Sequence, residues 1–362
     1  MAQYPGSETE QHVMPEILQG AVQAIFRACD MADQDACLLA ASLVGADQRG
    51  IHSHGTLRVP DYVGKLTTGG VNPRGRPFVA HEAGTSIVVD GGNAMGQIAS
   101  EFAMRVAIDK AAASGVALAA VRHSNHCGAM DHWAMMALSH DMIGIATTNA
   151  LPTMAPWGGV EKIVGINPLA IAFPAAEEAP VVLDVAFGAT AHGKIRVYHQ
   201  KGHQIPEGWA FDRDGRPTTD PAGALEGLIQ PIGGHKGVGI AIVVGMLSTL
   251  LGGASYGTEL GNMEEGPRPG QDGHLFIAIN IASFLPVATF KARVDTISRQ
   301  IQLSRRRDGI DRLYPPGLME AEFARRYAVE GIPLNRETIA GILASAARLG
   351  VDLPDLAMPD LA

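Results

Sequence analysis

Residues 86–97 read Ser-Ile-Val-Val-Asp-Gly-Gly-Asn-Ala-Met-Gly-Gln, and their reading decides the fold class. The apolar run Ser86 to Asp90 predicts a strand, Gly91 to Gly96 a tight turn, and Gln97 to Ala113 a helix. A dinucleotide fold of the Rossmann type would carry G-x-G-x-x-G at such a turn, and a P-loop would carry lysine where Gln97 stands. Neither fingerprint is present, so neither a Walker A site nor a conventional Rossmann site is supported here.

Further β-like runs follow at Val116 to Val121, Met142 to Thr147, Leu169 to Phe173, Val181 to Asp184 and Leu275 to Asn280, with a helix over Met130 to Ser139. Both chain ends read as helices. Ile17, Val22, Ile25 and Phe26 define one, and Ala36, Leu39, Leu43 and Ala46 a second that Asp33 could cap. A third should open near Thr56, and Ile339, Leu343 and Ala346 share one face near the C-terminus. The expected class is α+β: a helical domain from 1–78 with 287–362, around a β-containing core domain of 79–286. Val238 to Leu251 is too short to span a bilayer, which takes about 20 residues, and reads as a buried helix.

The net charge of −9 argues against nucleic acid or an anionic membrane as a general partner. Cys29, Cys37 and Cys127 form no CxxC pair or framework, and no basic-then-apolar leader opens the chain, so a cytoplasmic location is expected. His52, His54, His123, His126 and His132 lack the fixed spacing of a zinc set, so no metal is expected.

Chemistry concentrates in Arg49-Gly-Ile-His-Ser-His-Gly-Thr-Leu-Arg-Val-Pro-Asp-Tyr62. His54 is a proton carrier, Ser53 an orienting hydroxyl, Arg58 a carboxylate clamp and Tyr62 a phenol beside them. Gly233-Gly-His-Lys-Gly-Val-Gly239 offers backbone N–H groups, Lys236 and a helix start, which reads either as a phosphate cradle or as an ordinary helix-start loop. Gly253-Ala-Ser255-Tyr-Gly257 matches a hydrolase elbow, but a helical run precedes it where a strand is needed. Cys127 beside His126 is poorly placed for a direct dyad, because neighbours on extended chain face opposite ways. A serine hydrolase using Ser255 and a non-catalytic binding protein are therefore the rival classes.

Ser53-His54-Gly55 with Arg58 and Tyr62, Ser124-Asn-His126-x-Gly128, Asn167-Pro-Leu-Ala-Ile-Ala-Phe-Pro174, Leu183-Asp184, Gly193-Lys194-Ile195, Gly208-Trp-Ala210, Thr218-Thr-Asp-Pro221 and Gly233-Gly-His-Lys-Gly237 occur in this order. Together they resemble the type 2 malate/L-lactate dehydrogenase family, whose members also include ureidoglycolate, sulfolactate and diketogulonate enzymes and ketimine reductases. The resemblance spans about residue 10 to 335. It implies a homodimeric NAD- or NADP-dependent oxidoreductase with a non-Rossmann cofactor domain, acting on a 2-hydroxy or 2-oxo acid. It implies His54 as proton donor, Ser53 as its relay and Arg58 as the carboxylate clamp, with Tyr62 and His192 on the substrate side. His126 matches a second catalytic or cofactor-side histidine, and Lys194 a further catalytic position where ketimine reductases carry Asp. Asp184, Val185, Ala186, His235, Lys236, Pro316, Gly317 and Leu318 match cofactor-binding positions. Lys194 favours the hydroxy-acid branch over the ketimine reductases, and a reductase of a cyclic ketimine or diketo-sugar acid is the alternative within the family. His52, Ile166, His192 and Leu318 stand where the family usually has Asp, Thr, Arg and Glu, so the pocket wall departs from the usual pattern.

Overall fold

The computed structural model describes residues 10–200, 202–263 and 266–356. A mixed seven-stranded sheet forms its centre. Its strands are β2 (Phe78–Ala83), β3 (Ser86–Asp90), β4 (Val116–Ser124), β5 (Met142–Thr148), β8 (Leu169–Phe173), β9 (Val181–Val185) and β13 (Asp272–Asn280). The spatial order is β2-β3-β4-β13-β5-β8-β9. Only β3 and β4 pair in parallel, and α4 (Gly96–Ser114) is the crossover that a parallel pair requires. One face is lined by Ala117, Ala119, Ala146, Ala170, Ala172 and Ala278. These small side chains let Ala99, Ala103 and Ala107 of α4, and Trp133 of α5 (Met130–Met135), pack closely on the sheet. The opposite face takes α8 (His235–Thr249), fixed there by a 2.7 Å hydrogen bond between Thr147 and Ser248.

Smaller pieces complete that side. They are the ribbon β6 (Pro152–Met154) with β7 (Val164–Gly165), and the sheet of β10 (Ala210–Phe211), β11 (Pro217–Thr218) and β12 (Leu228–Ile229). Helices α6 (His192–Gln200) and α7 (Pro221–Glu226) flank them. A separate apolar core joins α1 (Pro15–Ala28), α2 (Asp33–Gln48) and α3 (Val59–Thr68) to α10 (Leu318–Glu330) and α11 (Arg336–Leu349). There β1 (Gln11–Val13) pairs with β14 (Ile332–Leu334), so the two chain ends meet. Helix α9 (Val287–Leu303) does not share that core. Its Asp295 accepts the backbone N–H groups of 176–178 and its Lys291 pairs with Asp141, at the far edge of the sheet.

Three local expectations change. Asp33 is the first helical residue of α2, not its cap, and Ala32 at the cap makes no side-chain bond. The helix expected near Thr56 is two single 3-10 turns, His52–His54 and Thr56–Arg58, leading into α3 at Val59. Helix α8 is buried on one face only. Ile240, Val243, Met246 and Leu247, with Leu250 and Leu251 just beyond the helix, are 44% to 63% exposed.

The glycine turn that lacks the Rossmann fingerprint has a packing role. A methyl on Gly96 would lie 2.0 Å from the carbonyl oxygen of Asn125. Only glycine lets the start of α4 press against the loop after β4, and that loop carries His126.

Candidate active site

The site begins at Asp47 on α2, a buried carboxylate absent from the sequence expectations. It accepts the Thr56 backbone N–H and hydroxyl, each at 2.7 Å, and pairs with His52 at 2.8 Å. These bonds hold the two 3-10 turns that present Ser53, His54 and Arg58. A methyl on Gly55 would fall 2.0 Å from the Asp47 carboxylate, so the glycine beside His54 is a steric requirement. His52 is therefore the partner of Asp47; burial lowers its pKa, but the hydrogen bond and charge of Asp47 outweigh this and raise it.

Ser53 Oγ lies 2.9 Å from His54 Nδ1. With Nδ1 engaged, Nε2 is the nitrogen left for proton exchange. Burial, aided by the Arg58 charge, lowers the His54 pKa to about 4. The Arg58 Nε–H donates to the Ser53 carbonyl oxygen at 2.8 Å, and Nη1 pairs with Asp61 at 3.1 Å. The ring of His126 stacks on His54, centroids 5.6 Å apart and planes 16° apart. The Tyr62 hydroxyl is engaged within the protein. That group is 2.6 Å from His126 Nδ1 and accepts from Gln97 Nε2 at 3.0 Å.

Ser53, His54, Arg58, Tyr62 and His126 line one cavity of about 870 Å³, at the upper end of the range for small-molecule sites. The same cavity is walled by Asp184, Val185 and Ala186, by His192, and by Pro316 and Gly317. Asp184 faces the open interior yet is enclosed by protein. It accepts the Asp131 backbone N–H at 2.9 Å, and burial together with the Asp131 charge raises its pKa. Arg49 pairs with Asp131 at 2.6 Å, so the opening arginine of the histidine stretch braces the far wall. Sequence reasoning missed Asp47, Gln97, Asp131 and Asp272. Each lies outside the recognisable motifs and is brought in by the tertiary fold. Asp272 also lines the cavity, and burial pushes its carboxyl up to about 7.

Four expected site residues do not reach this wall. Lys194 turns away from the cavity-facing His192, Gly193 and Arg196 of α6, and its ammonium sits 4.8 Å above the Trp209 ring. Leu318 is buried at the start of α10, and Glu320 reaches the cavity in its place. His235 and Lys236 are exposed at the start of α8, with His235 edge-on to Trp157. The Ser255 hydroxyl donates to Gln271, not to a histidine, and gives no support to the hydrolase elbow. The Cys127 thiol is pushed up to about 12 by burial and is not a nucleophile at neutral pH. Among the described residues no group of three or more His, Cys, Asp or Glu side chains is arranged to hold a metal ion.

The residues present fit a bound nicotinamide dinucleotide. The cavity extends well beyond the small-acid contacts of His54 and Arg58, and the hydroxyls of Thr153 and Thr190 in its wall are buried without hydrogen-bond partners. Unpartnered buried hydroxyls cost free energy until a ligand satisfies them.

Behind the cavity, His274 is fully buried and bonds Thr148 at 2.7 Å and Ser124 at 2.8 Å, tying β5 and β4 to β13. Burial lowers its pKa to about 3. Its folded pKa lies below the unfolded value, so the stability it contributes is present above about pH 6.5 and is lost as pH falls toward about 3. Asp272 has the opposite sign, losing stability as pH rises through about 7. In His274→Gln the acid-induced loss should flatten relative to wild type, after a cost of about 1–3 kcal/mol at neutral pH from the two hydroxyls. Urea denaturation across the pH series checks this; parallel wild-type and variant curves would contradict it.

An imidazole beside a guanidinium, in a cavity with room for a second and larger ligand, suits a dehydrogenase of small acids. Comparison with known proteins agrees. Residues 13–343 match the malate/L-lactate dehydrogenase family. L-sulfolactate dehydrogenase of Methanocaldococcus jannaschii is 37% identical over 341 residues, covering 94% of this chain and 98% of that one. Its solved structure has a TM-score of 0.89, over 96% and 99% of the two chains. Malate dehydrogenase of Entamoeba histolytica gives a TM-score of 0.91 at 29% identity, over 96% and 100%. A delta(1)-pyrroline-2-carboxylate/delta(1)-piperideine-2-carboxylate reductase of Pseudomonas putida is 30% identical over 346 residues, covering 93% of this chain and 98% of that one. The chain belongs to the malate/L-lactate dehydrogenase family. It is an oxidoreductase acting on the CH–OH group of donors, in a family that uses nicotinamide cofactors.

Proposed function

We propose that this chain interconverts a small 2-hydroxy acid and its 2-oxo acid, with His54 as proton donor and acceptor and Arg58 as carboxylate clamp, using NAD or NADP. The single observation that carries the reading is the shared cavity wall of Ser53, His54, Arg58 and His126. When bound, the nicotinamide supplies or takes up the hydride. The protein's own groups do the rest. Arg58 orients the acid through its carboxylate. Burial and then the Arg58 charge lower the His54 pKa, and a substrate carboxylate would offset the second of these. Substrate binding thus raises the affinity of His54 for the proton it must deliver. In oxidation the His54 Nδ1–H donates to Ser53, leaving the Nε2 lone pair to take the alcohol proton.

Asp184 to Ala186, Pro316 and Gly317 are the wall residues we assign to the cofactor. His235, Lys236 and Leu318 lie outside this wall, and Lys194 positions α6 through Trp209. For the domain division we take the helical part from 1–78 and the C-terminal helices α10 and α11, within 287–362, against a core of 79–286 that α9 joins through its contacts. The test is nicotinamide absorbance during incubation of NADH or NADPH with a panel of 2-oxo acids. Consumption with one or more of them supports the reading; folded protein that turns over none of them sinks it.

A cytoplasmic homodimer completes the proposal. From Gly237 to Thr258 no residue is charged, and the exposed stripe of α8 runs on through Leu251, with Trp157 62% exposed at its N-terminal end. A two-fold pairing of this stripe with itself buries no charge, and a standard interface needs about 800 Å² per partner. Val243→Glu should shift the sedimentation coefficient from dimer to monomer; an unchanged coefficient would move the interface elsewhere.

A further inference from the structure

His54 and His126 are stacked imidazoles in one cavity, and either could carry a proton. The hydrogen bonds around them separate their roles. We propose that Gln97 and Tyr62 lock His126 as the neutral Nε2–H tautomer, making it a fixed hydrogen-bond donor to the ligand and leaving His54 as the only proton carrier.

Two donors converge on His126 Nδ1. The Gly128 backbone N–H donates to it at 3.4 Å, and the Tyr62 hydroxyl lies 2.6 Å away. A backbone N–H cannot reverse its direction, so this long contact favours a lone pair on Nδ1 without fixing it, and the short Tyr62 bond is the one that locks it. The Tyr62 oxygen accepts from Gln97 Nε2 at 3.0 Å, which directs the phenolic hydrogen onto His126. Turning the Gln97 amide over would reverse that chain and set a protonated Nδ1 against the Gly128 N–H. Gln97 and Tyr62 are buried, at 0% and 1% exposure, so water cannot substitute for either. The carbonyl oxygen of Gln97 is buried with no partner, so the side chain satisfies Tyr62 at the expense of its other end.

The charged form of His126 is opposed from several sides. Burial comes first, then His54, Arg58 and His274. A second cation stacked on His54 would also resist the proton that His54 must hold. A neutral His126 removes that conflict and still presents one N–H to a developing negative charge. Gln97 and Tyr62 are positioning residues here, since both act through His126.

The ligand role rests on the oxidoreductase reading, but the tautomer does not, and the first measurement needs no turnover. Full-length protein labelled with ¹⁵N-histidine is followed by long-range ¹H–¹⁵N spectra between about pH 5 and about pH 9, with the His126 signals identified by their loss in His126→Gln. The expected result is a protonated Nε2 and an unprotonated Nδ1 that do not titrate, giving way in Tyr62→Phe to a tautomer mixture. An Nδ1–H ring in the wild type, a ring that titrates in this range, or an unchanged tautomer in Tyr62→Phe would overturn the lock. The second measurement is kinetic. His126→Gln keeps an amide N–H near the position of Nε2, whereas His126→Asn places its amide nearer Nδ1. Turnover should be at least about tenfold higher in the Gln variant, the worth of one hydrogen bond. Equal loss in both would overturn the donor role while leaving the tautomer result standing.

Discussion

His54→Ala should lower kcat by about 10²–10⁴, the usual contribution of one positioned acid or base. The loss should fall on the chemical step. Arg58 is held by the Ser53 carbonyl and Asp61, neither of which depends on the imidazole, so KM for the acid should move far less than kcat. Cofactor affinity should hardly change, because the wall at Asp184 to Ala186 is built on and just after β9, an element apart from the turn that carries His54. Steady-state kinetics with the cofactor saturating separates these quantities. Turnover like that of the wild type would remove His54 from the mechanism. A loss confined to KM would make it a binding residue only.

Gly55→Ala should damage the site and the fold together. The added carbon would fall 2.0 Å from a carboxylate that is itself 1% exposed and already bonded to His52 and Thr56. Asp47 cannot swing into water to relieve the clash, so the 3-10 turns must shift. Overpacking of this kind costs about 1–3 kcal/mol, and displacing a buried, hydrogen-bonded carboxylate adds to it. Activity should fall further than stability, since a displacement of about 1 Å at His54 can cost about 10² in rate. Thermal unfolding measured beside kcat/KM checks both. A variant as stable and as active as the wild type would mean that Asp47 does not set the geometry of these turns.

The sheet was legible in sequence because its strands are short apolar runs bounded by Gly, Pro or Asp. Leu169–Phe173 and Ser86–Asp90 match residue for residue. Strand β2 was not legible: its residues are exposed throughout, and Phe78 to Ala83 carry no alternation to read. Helix α8 misled for a physical reason. It is apolar all round, which reads as burial, yet the fold covers only one face of it. The site divides in the same way. His54, Arg58 and His126 could be named because their side-chain chemistry is conspicuous and they sit in recognisable motifs. Asp47, Gln97 and Asp131 could not, because an acid or amide inside a helix pattern looks like any solvated position until the fold buries it against a partner. Lys194 shows the converse case. A motif places a residue on an element, and one step along a helix decides whether it faces the cavity or the ring of Trp209.

The central claim is direct hydride transfer to the carbon that bears the oxygen, and isotopic tracing tests it most directly. NADH or NADPH deuterated at the transferring position of the nicotinamide is incubated in ordinary water with the 2-oxo acid that the enzyme reduces best. The 2-hydroxy acid is then examined by mass spectrometry and proton NMR. The account predicts one deuterium on carbon 2 of the product for each cofactor consumed, with the His54-delivered proton on oxygen drawn from solvent. Product carrying solvent hydrogen on carbon 2, or cofactor consumption with no hydroxy acid formed, would contradict it.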